Sequence, residues 1–83
     1  MNILIVEDNR DLVQVLTEGF NELEFSVDSA FDGIEGLSKI RNNNYDCIVL
    51  DIMLPEMDGF ELIEKMREEG KDTPVIMLTA KDS

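Results

Sequence analysis

Three acidic residues follow two separate apolar runs of this 83-residue chain. Glu7 and Asp8 come directly after residues 3–6, and Asp51 comes directly after residues 47–50. If these runs are neighbouring parallel strands, their carboxyl ends meet at one edge of a sheet and bring the three carboxylates together. Like charges that lie this close disfavour full ionisation unless a cation compensates them. The sequence therefore predicts a cation site formed by Glu7, Asp8 and Asp51.

Magnesium is the cation that best fits these ligands. It is a hard ion that binds through one or two carboxylates, with water and phosphate oxygens completing its shell. The chain contains no histidine and a single cysteine, Cys47. A histidine-dependent hydrolase triad and an intramolecular disulfide are therefore excluded. The glycine patterns of dinucleotide and Walker phosphate sites are absent as well.

Each candidate residue also has a purely structural interpretation. Aspartate is a common helix N-cap, so the residues alone leave Asp8 open between a metal ligand and the cap of the first helix. Asp51 has the alternative of an ordinary strand-end residue before a turn. Thr79 follows the last apolar run, and threonine is frequent in strands. Only the occurrence of Asp8, Asp51 and Thr79 together in one chain favours a shared chemical role.

Four segments indicate β-strands that position these groups. Residues 3–6, 47–50 and 75–78 are continuous apolar runs, which are typical of parallel strands buried on both faces. Residues 25–31 alternate in character and predict a half-exposed strand nearer an edge.

Three helical patterns lie between the predicted strands. The first is capped by Asp8 or Asn9, the second spans residues 33–42, and the third begins at the N-cap Asp58 and ends at Gly70. The positions expected to face inward are Leu12, Val13, Leu16, Phe20 and Leu23 in the first helix, Ile34, Leu37 and Ile40 in the second, and Leu62, Ile63 and Met66 in the third. Strict alternation of strand and helix predicts an α/β fold with a doubly wound parallel sheet.

The charge of the chain limits its partners. Nineteen acidic residues against seven basic ones give a formal net charge of −12, which argues against direct binding of nucleic acid or of anionic membrane surfaces. The first apolar run is too short for a signal peptide or a membrane span. Together with the single cysteine, which we expect to be buried, this predicts a cytoplasmic protein.

The segment from Asp51 to Gly59 contains a strand-ending aspartate, a Leu-Pro turn and a Met-Asp-Gly helix start. With the Glu7-Asp8 pair before it and Thr79-Ala80 after it, the chain resembles the receiver domain of two-component response regulators over its whole length. The resemblance implies a flavodoxin-like sheet.

The resemblance also implies roles for individual residues. Asp51 would be the phosphoacceptor, Asp8 and Asp51 would ligate Mg²⁺, Glu7 would hold it through water, and Met53 would contribute its backbone carbonyl. Thr79 would hydrogen-bond the new phosphoryl oxygens. The phosphoryl donor would be a phosphohistidine of a sensor histidine kinase or phosphotransfer protein. Such a domain is a regulatory switch and not a turnover enzyme.

Members of the resembled family continue into a further helix, strand and helix, and the fifth strand carries a lysine that would pair with the phosphoryl group. Lys81 comes directly after Thr79-Ala80 at the end of the fourth predicted strand, so it belongs to the next loop and does not correspond to that lysine. We therefore expect residues 1–83 to be the N-terminal, incomplete part of a receiver domain, a (βα)₃β unit. Residues 75–78 would then form an exposed edge and favour self-association. The alternative function is a structural or self-associating fragment without phosphotransfer.

Overall fold

The computed structural model describes residues 1–78. They form four strands and three helices: β1 (Asn2–Val6), α1 (Arg10–Glu22), β2 (Ser26–Ala30), α2 (Gly33–Asn42), β3 (Cys47–Asp51), α3 (Gly59–Glu68) and β4 (Val75–Leu78). All strand pairs are parallel, in the order β2-β1-β3-β4. The predicted doubly wound α/β architecture is confirmed.

The central strands β1 and β3 carry a core on each face of the sheet, because successive side chains of a strand point to opposite faces. Leu4 and Val6 of β1 pack with α2 and α3, where Leu62 and Met66 are fully buried. Ile3 and Ile5 pack instead with α1. This arrangement explains why the central strands are apolar without alternation. The positions of β1 and β3 also determine which residues lie at the carboxyl-terminal edge of the sheet.

Three helix positions predicted to face inward are exposed, namely Leu12, Leu23 and Ile34. A helix advances by roughly 100° per residue, so Leu12 and Leu23 lie at one edge of the stripe formed by Val13, Leu16 and Phe20. Leu23 is also the C-cap residue of α1. Along α2 the same geometry turns Ile34 away from the direction of Ile40, which is buried. The prediction for these three residues was wrong because the part of each helix that packs against the sheet is narrower than its stripe of apolar residues.

The two edge strands differ from each other. On β2 the side chains are half-buried from Val27 to Ser29, as its alternating sequence predicted. On β4, Ile76 and Met77 are exposed, although a continuous apolar run is typical of a strand buried on both faces. Within residues 1–78, no helix is long and apolar enough to cross a membrane.

Candidate acidic metal site

The register of the two central strands brings the candidate carboxylates together. Val6 of β1 lies opposite Leu50 of β3, so Glu7 and Asp51 emerge at the same level of adjacent strands. One carboxylate oxygen from each of Glu7, Asp8 and Asp51 lies within 4.8 Å of the others. The predicted convergence of these three residues is therefore present.

The three carboxylates differ in exposure. Glu7 and Asp51 are only 5% and 6% exposed, whereas Asp8 is exposed to solvent. Burial raises the pKa of Glu7, and the nearby charges of Asp51 and Asp8 raise it further, against the lowering effect of a hydrogen bond from the Asn9 amide. The pKa of Glu7 therefore lies above its ordinary value, because burial and the neighbouring carboxylates make its ionised form less favourable than that of an exposed glutamate.

The backbone after β1 decides between the two roles of Asp8. The Asn9 side chain accepts a hydrogen bond from the Leu12 amide at 3.1 Å and caps α1. The Asn9 amide in turn donates to Glu7 Oε2 at 3.0 Å. Asp8 lies one residue before the cap, so its carboxylate is not the one that caps the helix.

Asp51 is held by the loop that follows it, which we call the β3–α3 loop (residues 52–58). The Met53 amide donates to Asp51 Oδ1 at 3.1 Å, and the Gly59 amide donates to the Ile52 carbonyl at 2.8 Å. A Cβ on Gly59 would lie 2.7 Å from the Asp51 carbonyl oxygen. A glycine is therefore needed for α3 to begin directly against β3.

A cleft opens beside the carboxylates. Asp8 and Asp58 supply its polar lining, and the first residues of the β3–α3 loop supply its apolar wall together with the exposed ring of Phe60. The Met53 side chain, 74% exposed, belongs to this wall. Its predicted contribution was a backbone carbonyl ligand, which stays a prediction. Thr79 lies outside the described residues.

Sequence reasoning missed two contacts around the site. The Arg10 guanidinium lies 3.9 Å from the centre of the Phe31 ring, which joins the start of α1 to the residue after β2. Gly33 lies against the β3–α3 loop. From the sequence, Gly33 was identified only as the first residue of the second helix, and nothing in the local pattern indicated its contact with the loop.

The donor set fits Mg²⁺. All three side chains offer carboxylate oxygens, the ligands preferred by this hard cation, and the exposure of Asp8 leaves room for water or phosphate oxygens. Among residues 1–78, no lysine or arginine forms an ion pair with Glu7, Asp8 or Asp51. Within the part of the chain that the structure describes, no basic side chain therefore forms an ion pair that neutralises the three carboxylates.

Residues 3–83 match the family model of the response regulator receiver domain. The chain belongs to this family. A solved Francisella response regulator 1452 receiver domain is 40% identical, with a TM-score of 0.93, over 99% of this chain and 68% of that one. The flavodoxin-like receiver fold is therefore confirmed.

Two further relatives extend the comparison. The response regulator MprA of Mycobacterium sp. (strain KMS) is 41% identical over all 83 residues, and this receiver chain spans 36% of its length. A chain of the CheX-CheY-BeF₃-Mg²⁺ complex from Borrelia burgdorferi is 37% identical with a TM-score of 0.92, over 100% of this chain and 64% of that one. The chain thus spans about a third of the curated relative and about two thirds of the solved ones.

Proposed function

We propose that this receiver chain is the phosphoacceptor switch of a two-component system and takes a phosphoryl group on Asp51 with Mg²⁺ at the acidic site. The observation that carries the proposal is the convergence of three carboxylates at the ends of β1 and β3. A purely structural fragment would have no use for buried like charges at this edge, because they lower its stability. The alternative of an inactive fragment is therefore not favoured.

The chemistry of the step follows from the residues. A carboxylate oxygen of Asp51 attacks the phosphorus of the donor, a new P–O bond forms, and the bond from phosphorus to the donor's imidazole nitrogen breaks. The imidazole leaves with the electron pair of that bond. Bound Mg²⁺ would neutralise charge on the transferring oxygens. Asp8 and Asp51 would hold it directly, Glu7 through water, and Met53 through its carbonyl.

The remaining roles complete a switch and not a turnover enzyme. Thr79 would donate its hydroxyl to the new phosphoryl oxygens and draw its loop inward, which converts a local charge change into a change of surface. The donor would be a phosphohistidine of a sensor histidine kinase or phosphotransfer protein. With a net charge of −12, the chain favours partners with a basic surface. We place this switch in the cytoplasm.

Self-association through β4 is a separate part of the proposal. Ile76 and Met77 expose apolar surface on this edge strand, and exposed strand edges pair readily with other chains. Light scattering of residues 1–83 should show dimers or larger species. A stable monomer would refute this part and leave the phosphoacceptor proposal intact.

The central experiment is phosphorylation by a small-molecule donor. Acetyl phosphate with Mg²⁺ should add one phosphoryl group to the intact protein, detected by mass spectrometry, and chelation of Mg²⁺ should prevent the addition. Asp51→Asn should abolish the adduct. Asp58→Asn is the matched control, because Asp58 lines the same cleft but caps α3, and asparagine caps equally well. An adduct that persists in Asp51→Asn, or none in the unmodified chain, would contradict the proposal.

A further inference from the structure

The beginning of α2 makes an unusually close contact with the β3–α3 loop. The Gly33 amide, which has no partner within its own helix, donates to the Pro55 carbonyl at 3.3 Å. A Cβ on Gly33 would overlap the Met57 carbonyl oxygen and lie 2.7 Å from Met57 Cβ. The two backbones are therefore in direct contact, and only glycine fits between them.

The two loop residues that Gly33 contacts lie directly before and after Glu56, the residue of the loop with a positive φ. Glu56, between Pro55 and Met57, has a φ of 69°, a backbone conformation that is strained for a residue with a side chain. The Met57 amide also donates back to the Pro55 carbonyl at 2.8 Å. Surrounding structure must hold such a residue in place. Gly33 provides that support on both sides of it.

The residues before Gly33 are fixed in turn. The Asp32 side chain caps α2 by accepting from the Glu35 amide at 2.7 Å, and Glu35 Oε1 accepts from the Phe31 amide at 2.9 Å. The Phe31 ring then contacts the Arg10 guanidinium at the start of α1. Residues 31–33 therefore contact the start of α1, which follows Glu7 and Asp8, and the β3–α3 loop, which follows Asp51.

We propose that residues 31–33, which supply no metal ligand, are a positioning element that holds the β3–α3 loop, and with it Asp51, at the correct distance from Glu7 and Asp8. Gly33 is its decisive residue. An added side chain there must displace the β3–α3 loop and, with it, the backbone that orients Asp51. This inference rests on the proposed Mg²⁺ site.

The test compares two glycines of the same helix. Gly33→Ala forces the β3–α3 loop away, whereas Gly36→Ala introduces a Cβ 2.9 Å from Val6 Cγ1 and 3.2 Å from Leu62 Cδ1, inside the core and away from the loop. Mg²⁺ affinity is measured by calorimetry, and amide NMR shifts report which residues move. Urea denaturation gives the stability of each variant. Gly19→Ala, where a Cβ meets nothing within 4 Å, controls for the substitution itself.

Gly33→Ala should weaken Mg²⁺ binding by about tenfold or more, with its largest amide shifts in residues 52–58. Gly36→Ala should lose stability and keep its Mg²⁺ affinity while folded. Equal losses of affinity in both variants, or none in Gly33→Ala, would overturn the proposal. If Gly33→Ala does not fold, Phe31→Leu tests the same element from its other end. Unchanged Mg²⁺ affinity in Phe31→Leu would then count against it.

The unmodified chain and Asp8→Asn separate this inference from the function it rests on. Mg²⁺ binding that is lost in Asp8→Asn but retained in Gly33→Ala refutes only the positioning role. A chain that binds no Mg²⁺ at all refutes the metal site, and the positioning role with it.

Discussion

Two clusters that contain acidic residues differ in how their negative charge is compensated. Around Asp28, which with Lys39 and Tyr45 we call the Asp28 network, the chain supplies its own partners. The Tyr45 hydroxyl donates to Asp28 Oδ2 at 2.7 Å, and Lys39 Nζ donates to Asp28 Oδ1 at 3.1 Å and to the Ser29 carbonyl at 2.6 Å. At the acidic site, Glu7, Asp8 and Asp51 face one another instead.

The pKa values of the two buried or partly buried carboxyls, Asp28 and Glu7, shift in opposite directions. Burial raises the pKa of Asp28, but hydrogen bonds from Tyr45, Lys39 and the Ser29 amide outweigh it and leave that pKa below its ordinary value. The pKa of Glu7 is raised, first by burial. Burial and its hydrogen bond to Asp28 also raise the pKa of Tyr45. The comparison teaches that an acidic residue alone does not indicate a metal site, whereas several neighbouring carboxylates that form no ion pair within residues 1–78 do.

The largest expected difference between the clusters is in metal binding. Asp8→Asn should lower the affinity for Mg²⁺ by at least roughly tenfold, since it removes one of few ligands. Asp28→Asn, the matched control, should leave the affinity unchanged in calorimetric titration. Equal effects of the two substitutions would mean that Mg²⁺ binds through general negative charge and not at the acidic site.

In the metal-free protein, removing an acidic charge from each cluster should change the free energy of unfolding in opposite directions. Asp28→Asn deprives Lys39 and Tyr45 of their anionic acceptor and should lower the free energy of unfolding by about 1 kcal/mol, because the network is partly exposed. Glu7→Gln removes a buried charge and should raise that free energy by about 1 kcal/mol. Urea denaturation without Mg²⁺ measures both. Destabilisation by Glu7→Gln would show that the hydrogen bond from the Asn9 amide outweighs the cost of burying the Glu7 charge.

The same contrast should appear as a function of pH. The pKa of Asp28 is lower in the folded state than its ordinary value of 3.8. Its contribution to stability is therefore present above that value and is lost as the pH falls through the folded pKa. For Glu7 the folded pKa lies above 4.5, so its stabilising contribution is present below 4.5 and is lost as the pH rises through the folded pKa. The free energy of unfolding is measured from acid to neutral pH. Asp28→Asn should abolish the loss of stability at acid pH that Asp28 causes, and Glu7→Gln should abolish the loss of stability with rising pH that Glu7 causes.

The smallest expected effect lies remote from both clusters, at the end of α1. Glu24 has a φ of 66° where Gly70 has 83° at the equivalent position after α3. The Phe25 amide donates to the Phe20 carbonyl at 3.1 Å, and the Lys71 amide donates to the Met66 carbonyl at 2.9 Å, so both helices end in the same capping pattern. Glu24→Gly should therefore relieve strain and stabilise the fold by about 0.5 kcal/mol. Thermal unfolding measures it, and any change in Mg²⁺ affinity would contradict the separation of this cap from the site.

Local patterns were enough to predict the elements and the candidate ligands. The bounds of α2, residues 33–42, agree with the structure, because its turn residues and apolar spacing are local signals. The N-cap Asp58 agrees for the same reason, since its side chain accepts from the Glu61 amide at 2.8 Å. Glu7, Asp8 and Asp51 were identified as strand-end acids before any strand order was known.

Tertiary structure alone decided how these parts meet. The sequence left the first helix cap open between Asp8 and Asn9, and the path of the chain after β1 gave that role to Asn9. The exposure of Ile34, the partners of Asp28 and the contact of Gly33 with Met57 likewise depend on which face of α2 meets the sheet and on where the β3–α3 loop returns. The partners of Asp28 and the contact of Gly33 join residues that are distant along the chain. Local periodicity carries no information about them, because crossover geometry and strand register set them only once the whole sheet has assembled.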